Sequence, residues 1–221
     1  MEPALIIKDL GLTDYIDCLA LQEDLCAGRQ ADAIVNTVLL TEHKPVITLG
    51  ARQSKNKLLW SPSRLAEKNI ALCSAGRGGG TTAHNPGQIV IYPIVKLKTL
   101  RMGLNEYVHS LGQIGIDLLA RFGIAASWRK EAPGLWVENR KIAVVGVQAR
   151  KWVSMHGMAV NICNDLSFFE AIVPCGLDDV EMTSVLKETG KTVSMEEVKA
   201  DLVKLCRHYL SAAKDGAHEQ S

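Results

Sequence analysis

The sequence has little that would tie it to a charged polymer or a bilayer. Its 25 basic and 24 acidic residues leave a formal net charge of +1. That balance gives no electrostatic basis for nucleic acid or an anionic membrane as the main partner. No apolar run approaches the roughly 20 residues needed to span a bilayer. The opening MEPALIIKDLG lacks the basic and long apolar stretches of a secretory signal. The six cysteines (Cys18, Cys26, Cys73, Cys163, Cys175, Cys206) are scattered and never adopt C-x-x-C spacing. They are expected as free thiols in a reducing compartment. Internal repeats and low-complexity linkers are missing as well. A cytoplasmic, monomeric protein is expected, with one domain over 1–213, a flexible tail over 214–221 and no metal.

What is there is enough for a buried core: 221 residues, 47% of them apolar. Ala4 to Leu10 reads as a strand, and Thr13 opens a helix carrying Ile16, Leu19 and Leu25 that ends near Gly28. The run Ala33–Leu40 is ambiguous, while Pro45–Leu49 and Ile70–Ser74 read as strands around a short helix capped by Ser61 or Ser63. Leu104, Val108, Leu111, Leu118 and Phe122 mark one face of a long amphipathic helix. Strand patterns then fill Ala125 to Cys163, with a tight turn expected at Glu138-Asn139. A last helix begins with Ser194 and Glu197 in capping-box spacing and buries Val198, Leu202, Leu205 and Tyr209. Strands clustered centrally, with one helix inserted, predict an α+β domain with a largely antiparallel sheet flanked by helices.

The stretch Gly76 to Gln88, GRGGGTTAHNPGQ, is the least ordinary in the chain. Three successive glycines suit neither helix nor strand and serve where backbone must approach a ligand closely. Arg77 adds a rigid fork of donors. No Gly-Lys-Ser/Thr follows, so this is not a P-loop, and a strand rather than a helix follows it, which excludes a dinucleotide fingerprint. Cys175 sits in VPCG, where proline and glycine present the thiol on a loop. Only the thiolate is nucleophilic. A nearby ammonium, such as Lys141 at the head of KIAVVGVQ, favours it by charge attraction. A histidine base, His84 or His156, is the competing arrangement. Spacing alone does not choose between them.

Four blocks in order, PVITLGARQ, RGGGTTAHNPGQIVIYPI, GLWVENRKIAVVGVQARKWVSMHGMAVNI and FFEAIVPCGLDDVEMTSV, resemble the lipoyl(octanoyl) transferases across Pro45 to Leu186. The resemblance implies a biotin/lipoyl protein ligase-like fold. It implies an acyl-thioester on Cys175, activated by Lys141. It implies an acyl pocket lined by Arg77, Gly78, Gly79, Gly80, Thr81, Thr82, Ala83 and His84. Val144, Val145, Gly146, Gly157, Met158 and Ala159 complete it. The implied donor is octanoyl-acyl carrier protein, and the acceptors are lipoyl domains of 2-oxoacid dehydrogenase complexes and the glycine cleavage H protein. No cofactor beyond the carrier's phosphopantetheine arm is implied. Two readings stay beside this one: an ATP-dependent lipoate or biotin protein ligase, and a non-catalytic binder of acyl carriers or lipoyl domains. The chain departs from the family where Ala83 and Asn85 replace a tyrosine and a glycine. Loss of the ring is expected to reshape the pocket, with Asn85 taking a left-handed conformation.

Overall fold

The computed structural model describes residues 5–173 and 180–211. Its main sheet runs in the order β1-β2-β6-β10-β9-β8-β7, with β11 beside β9. The strands are β1 (Ile6–Thr13), β2 (Thr37–His43), β6 (Gln88–Ile94), β7 (Ser127–Trp128), β8 (Gly134–Val137), β9 (Arg140–Arg150), β10 (Val153–Asn161) and β11 (Glu181–Met182). All pairs are antiparallel except β1 with β2 and β11 with β9. A small sheet, ordered β4-β3-β5, comprises β3 (Val46–Leu49), β4 (Ala71–Ser74) and β5 (Thr82–His84). The helices are α1 (Tyr15–Gln30), α2 (Pro62–Glu67), α3 (Leu104–Arg121), α4 (Val185–Thr189) and α5 (Met195–Leu210). This is the predicted α+β arrangement. No helix among the described residues is long and apolar enough to cross a membrane.

Alternation along the strands divides the interior in two. Ile89, Ile91, Ala143, Met158 and Val160 point to one face, where α3 and α5 bring Leu111, Ile114, Leu118, Val198 and Leu202. The other face carries Val90, Tyr92, Val144 and Ala159 towards Ile47 and Ala83 of the small sheet. Neighbouring side chains on one strand thus belong to different cores, as a period of two requires.

Helix α1 departs from the expectation. Ile16 is 64% exposed, and the buried face is Tyr15, Cys18, Gln22, Cys26 and Arg29. The cause is what it covers. His156 in β10 has φ +57, a left-handed conformation unusual outside glycine. Its amide donates to Gln22 Oε1 at 3.0 Å. Arg29 Nε donates to Asn36 Oδ1 at 2.8 Å, tying the helix end to the approach of β2. A polar helix face is buried here because it satisfies backbone and side-chain groups that water cannot reach.

Smaller corrections have local causes. On α3, Leu111 and Leu118 are buried as expected, joined by Tyr107 and Ile114, whereas Leu104 is exposed and Val108 and Phe122 are half-buried. The left-handed residue in the β8–β9 turn is Glu138, not Asn139. Ser194 is the N-cap of α5, yet its hydroxyl binds Glu196 instead of a helix amide. The reciprocal carboxylate-to-amide bond occurs at α3, from Gly103 N–H to Glu106 Oε2 at 2.6 Å. In α5, Val198, Leu202 and Leu205 are buried as expected, joined by Cys206 and Leu210. Tyr209 is only half-buried and donates to Asp117 of α3. Cys163 follows β10 and is exposed rather than lying in a strand.

Candidate active site

A cavity of about 40 Å³ lies over the middle of β6, β10 and β9, under the glycine loop and the start of α1. Its apolar lining is Val90, Val144 and Ala159 from the small-sheet face and Val145 and Met158 from the helix face. Gly146 and Gly157, paired across β9 and β10, supply a floor without side chains. A Cβ on Gly157 would fall 2.0 Å from the Ile91 carbonyl oxygen, so no other residue fits that backbone.

The glycine loop forms the roof. Arg77, 8% exposed, donates from Nε and Nη2 to Thr48 Oγ1 and from Nη2 to the Thr48 carbonyl at 2.8 Å. Its Nη1 donates to the carbonyls of Gly78 and Gly80. The guanidinium therefore folds the loop back on itself. Gly78 N–H reaches Val147 of β9 at 3.0 Å. Arg77, Gly78, Gly79, Thr82, His84, Val144, Val145, Gly146, Gly157, Met158 and Ala159 all line the cavity.

Gly80, Thr81 and Ala83 of the expected set do not line it. Gly80 packs on the Lys55 backbone, where a Cβ would come within 2.2 Å of the carbonyl oxygen. Thr81 accepts the Lys57 amide at 3.0 Å. Ala83 alternates with Thr82 and His84 on β5 and points into the second core beside Ile47. Its small side chain therefore cannot enlarge the cavity directly. Asn85 does not take positive φ either. Gly87 does, at +88, and its amide binds Glu42 Oε2, while Asn85 Nδ2 holds the Asp165 carbonyl.

Three further residues complete the polar end and were not singled out from the sequence: Tyr15, His43 and Tyr92. His43 Nε2 shares a hydrogen bond with the Tyr92 hydroxyl at 2.9 Å. The Tyr15 ring stacks on His84 with centroids 6.1 Å apart and meets His43 edge-on at 5.3 Å. His84 Nδ1 is 2.6 Å from Gln88 Oε1, and Gln88 Nε2 continues to Asn161 Oδ1. Burial pushes His84 down to about 3, and His43 and His156 to about 4. All three imidazoles are neutral near pH 7. Burial likewise pushes the Tyr15 hydroxyl up to about 12. No short sequence motif joins these side chains.

Lys141 is 0% exposed, the largest burial of a charged group in this region. Its ammonium lies 5.3 Å from the centre of the Trp136 ring, a cation–π distance. Gly134 makes room for the stem, since a Cβ there would fall 2.6 Å from Lys141 Cε. Strand β11 lies parallel to β9, with Met182 opposite Lys141. Cys175 lies outside the described residues. On its near sides, Val173 N–H donates to the Lys57 carbonyl and β11 begins six residues after the cysteine. A second cleft, of about 350 Å³, adjoins the cavity at Gly78, Gly79, Val145 and Gly146 and is flanked by Arg52, Lys55 and Glu131. No cluster of three or more metal-binding side chains occurs among the described residues. The free thiols of Cys18 and Cys206 are buried, and burial pushes them up to about 11 and about 12. Both are poor nucleophiles.

Residues 14–207 match the model of the lipoyl protein ligase A/B catalytic domain. An octanoyltransferase from Nitratidesulfovibrio vulgaris is 41% identical over 198 residues, covering 87% of this chain and 88% of the relative. One from Desulfovibrio desulfuricans is 38% identical over 210 residues, covering 95% and 88%. Among solved structures, the bipartite lipoate protein ligase of Thermoplasma acidophilum superposes with a TM-score of 0.70 at 15% identity, over 99% of this chain and 88% of that one. Biotin protein ligase from Aquifex aeolicus, in complex with biotin and ATP, gives 0.55 at 18% identity, over 93% and 69%. At such identities the two structures speak for the fold.

Proposed function

The chain belongs to the lipoyl protein ligase A/B catalytic-domain family, and on that premise we propose that it is an acyltransferase moving octanoyl from a carrier thioester to a lipoyl-domain lysine through Cys175. The observation that carries this reading is about 40% identity to octanoyltransferases over most of the chain, beside a cavity with a largely apolar lining.

In the proposed cycle, Cys175 Sγ attacks the thioester carbonyl, and the carbon–sulfur bond to the carrier breaks. The carrier thiolate takes a proton from Lys141. The acceptor lysine amine then attacks the enzyme thioester, the amide C–N bond forms, and the Cys175 thiolate leaves. The surplus amine proton returns to Lys141. Thioester exchange is nearly balanced and amide formation runs downhill, so neither ATP nor a cofactor is needed. Splitting the transfer at a cysteine gives two easier steps. The cleft beside Gly78 and Gly146 would admit the carrier's phosphopantetheine arm, with octanoyl-acyl carrier protein as donor. Lipoyl domains of 2-oxoacid dehydrogenase complexes and the glycine cleavage H protein are the proposed acceptors, in the cytoplasm.

The test is intact-mass spectrometry after mixing the protein with octanoyl carrier. The wild type should gain one octanoyl group and pass it to an apo lipoyl domain. Cys175→Ser should do neither. Undiminished transfer by that variant, or modification that needs free octanoate and ATP, would overturn the proposal.

A further inference from the structure

Three buried polar atoms at one end of the cavity have no hydrogen-bond partner among the described residues: Tyr15 Oη, Thr82 Oγ1 and His156 Nδ1. All three side chains line the same cavity and are at least nine-tenths buried, being 4%, 4% and 2% exposed. They gather round Arg77 and His84. Tyr15 stacks on His84; Thr82 lies two residues before His84, on the same face of β5. His156 and Tyr15 both feel the Arg77 charge. Buried polar atoms are nearly always paired, so three orphans in one wall ask for a ligand that carries hydrogen-bonding atoms.

Position says which part of a ligand they meet. Along β9 the order is Lys141, Val144, Gly146, Val147, and His156 sits opposite Val147. If the reacting carbonyl is held beside Lys141, as the proposed function requires, the polar end faces the far tip of the acyl chain. The groups there are neutral: burial holds His156 uncharged above about pH 4 and keeps Tyr15 protonated below about pH 12. Two hydroxyls and an imidazole nitrogen can each accept, and the hydroxyls can donate. That set matches a neutral group that does both.

We propose that the far end of the cavity is a subsite for a hydroxyl at the tip of a medium-chain acyl group, with Tyr15, Thr82 and His156 as the residues that recognise it. This rests on the acyltransferase reading of the cavity and adds a substrate class to it. A purely apolar slot rejects an added hydroxyl by about a hundredfold. Here the hydroxyl is instead expected to be accepted, each hydrogen bond contributing roughly fivefold.

The experiment compares octanoyl and 8-hydroxyoctanoyl carrier thioesters as donors, reading the ratio of their kcat/KM values, and in parallel the binding of the two free acids by calorimetry. In the wild type the hydroxy-to-plain ratio should be about 1 or higher. Tyr15→Phe and Thr82→Val should each lower it by about fivefold, every variant serving as its own control for folding. A wild-type ratio near one-hundredth, or ratios that the two variants leave unchanged, would overturn the subsite while octanoyl transfer itself stands. If neither thioester is a substrate, the transferase reading fails. Calorimetry then decides the subsite: tighter binding of the hydroxy acid, lost in Tyr15→Phe, upholds it, and equal or weaker binding rejects it.

Discussion

Replacing Lys141 by methionine separates what the buried ammonium does for folding from what it does for chemistry. The side chain is wholly out of water, with its charge against the Trp136 ring at 5.3 Å and its stem against Gly134. Desolvating an ammonium costs several kcal/mol after relaxation, and a desolvated cation–π contact returns about 2 kcal/mol. Methionine has a similar length, no charge and enough flexibility to fill the same channel. Lys141→Met is therefore expected to shift the unfolding free energy by no more than about 3 kcal/mol in either direction. Octanoyl transfer should fall by at least about 10²-fold, the usual contribution of a positioned proton donor and acceptor. Urea unfolding followed by tryptophan fluorescence gives the first quantity, and single-turnover transfer from octanoyl carrier gives the second. A variant that transfers at the wild-type rate refutes the role assigned to the lysine. One that fails to fold refutes the claim that methionine fills the lysine's channel.

Two other expectations follow from the packing. His43, His84 and His156 have folded pKa values lowered by burial to about 4, 3 and 4, against about 6.5 unfolded. The unfolded chain therefore binds more protons below pH 6.5, and stability is complete above that value and lost as pH falls towards 4. Each histidine adds up to about 1.4 kcal/mol per pH unit to the slope in that window, and a urea midpoint that is flat from pH 7 to 4.5 would contradict their burial. Gly115 of α3 lies where a Cβ would come 2.4 Å from Leu135 Cδ1 and 2.9 Å from Met158 Sδ. Gly115→Ala should thus destabilise by about 1–3 kcal/mol through overpacking, despite the gain of about 1 kcal/mol in helix propensity; a net stabilisation, measured by chemical unfolding, would show that the helix can move off the sheet.

Local pattern carried the elements whose environment is simple. Val198, Leu202 and Leu205 of α5 and the strand runs of β6, β9 and β10 were legible because one chemical period decides which face is buried. The glycine loop was legible for a similar reason: runs of glycine mark close backbone approach wherever they occur, and Gly80 against Lys55 is such an approach. Roles within that loop were less so. Ala83 was expected in the pocket with its neighbours, yet strand alternation turns it into the second core.

What only the tertiary structure decided are meetings between residues far apart in the chain. The polar face of α1 is buried because a left-handed histidine in β10, 134 residues away, offers an amide outside the regular ladder. Tyr15, His43, His84 and Tyr92 come from four different elements and form one ring-packed cluster. The burial of Lys141 arises because β8 contributes a glycine and a tryptophan on one side while β11 lies on the other. Hydrophobic period specifies which way a side chain points, being set by local backbone geometry. Which polar groups lose their water, and so which charges and protons shift, depends on what the completed fold lays over them.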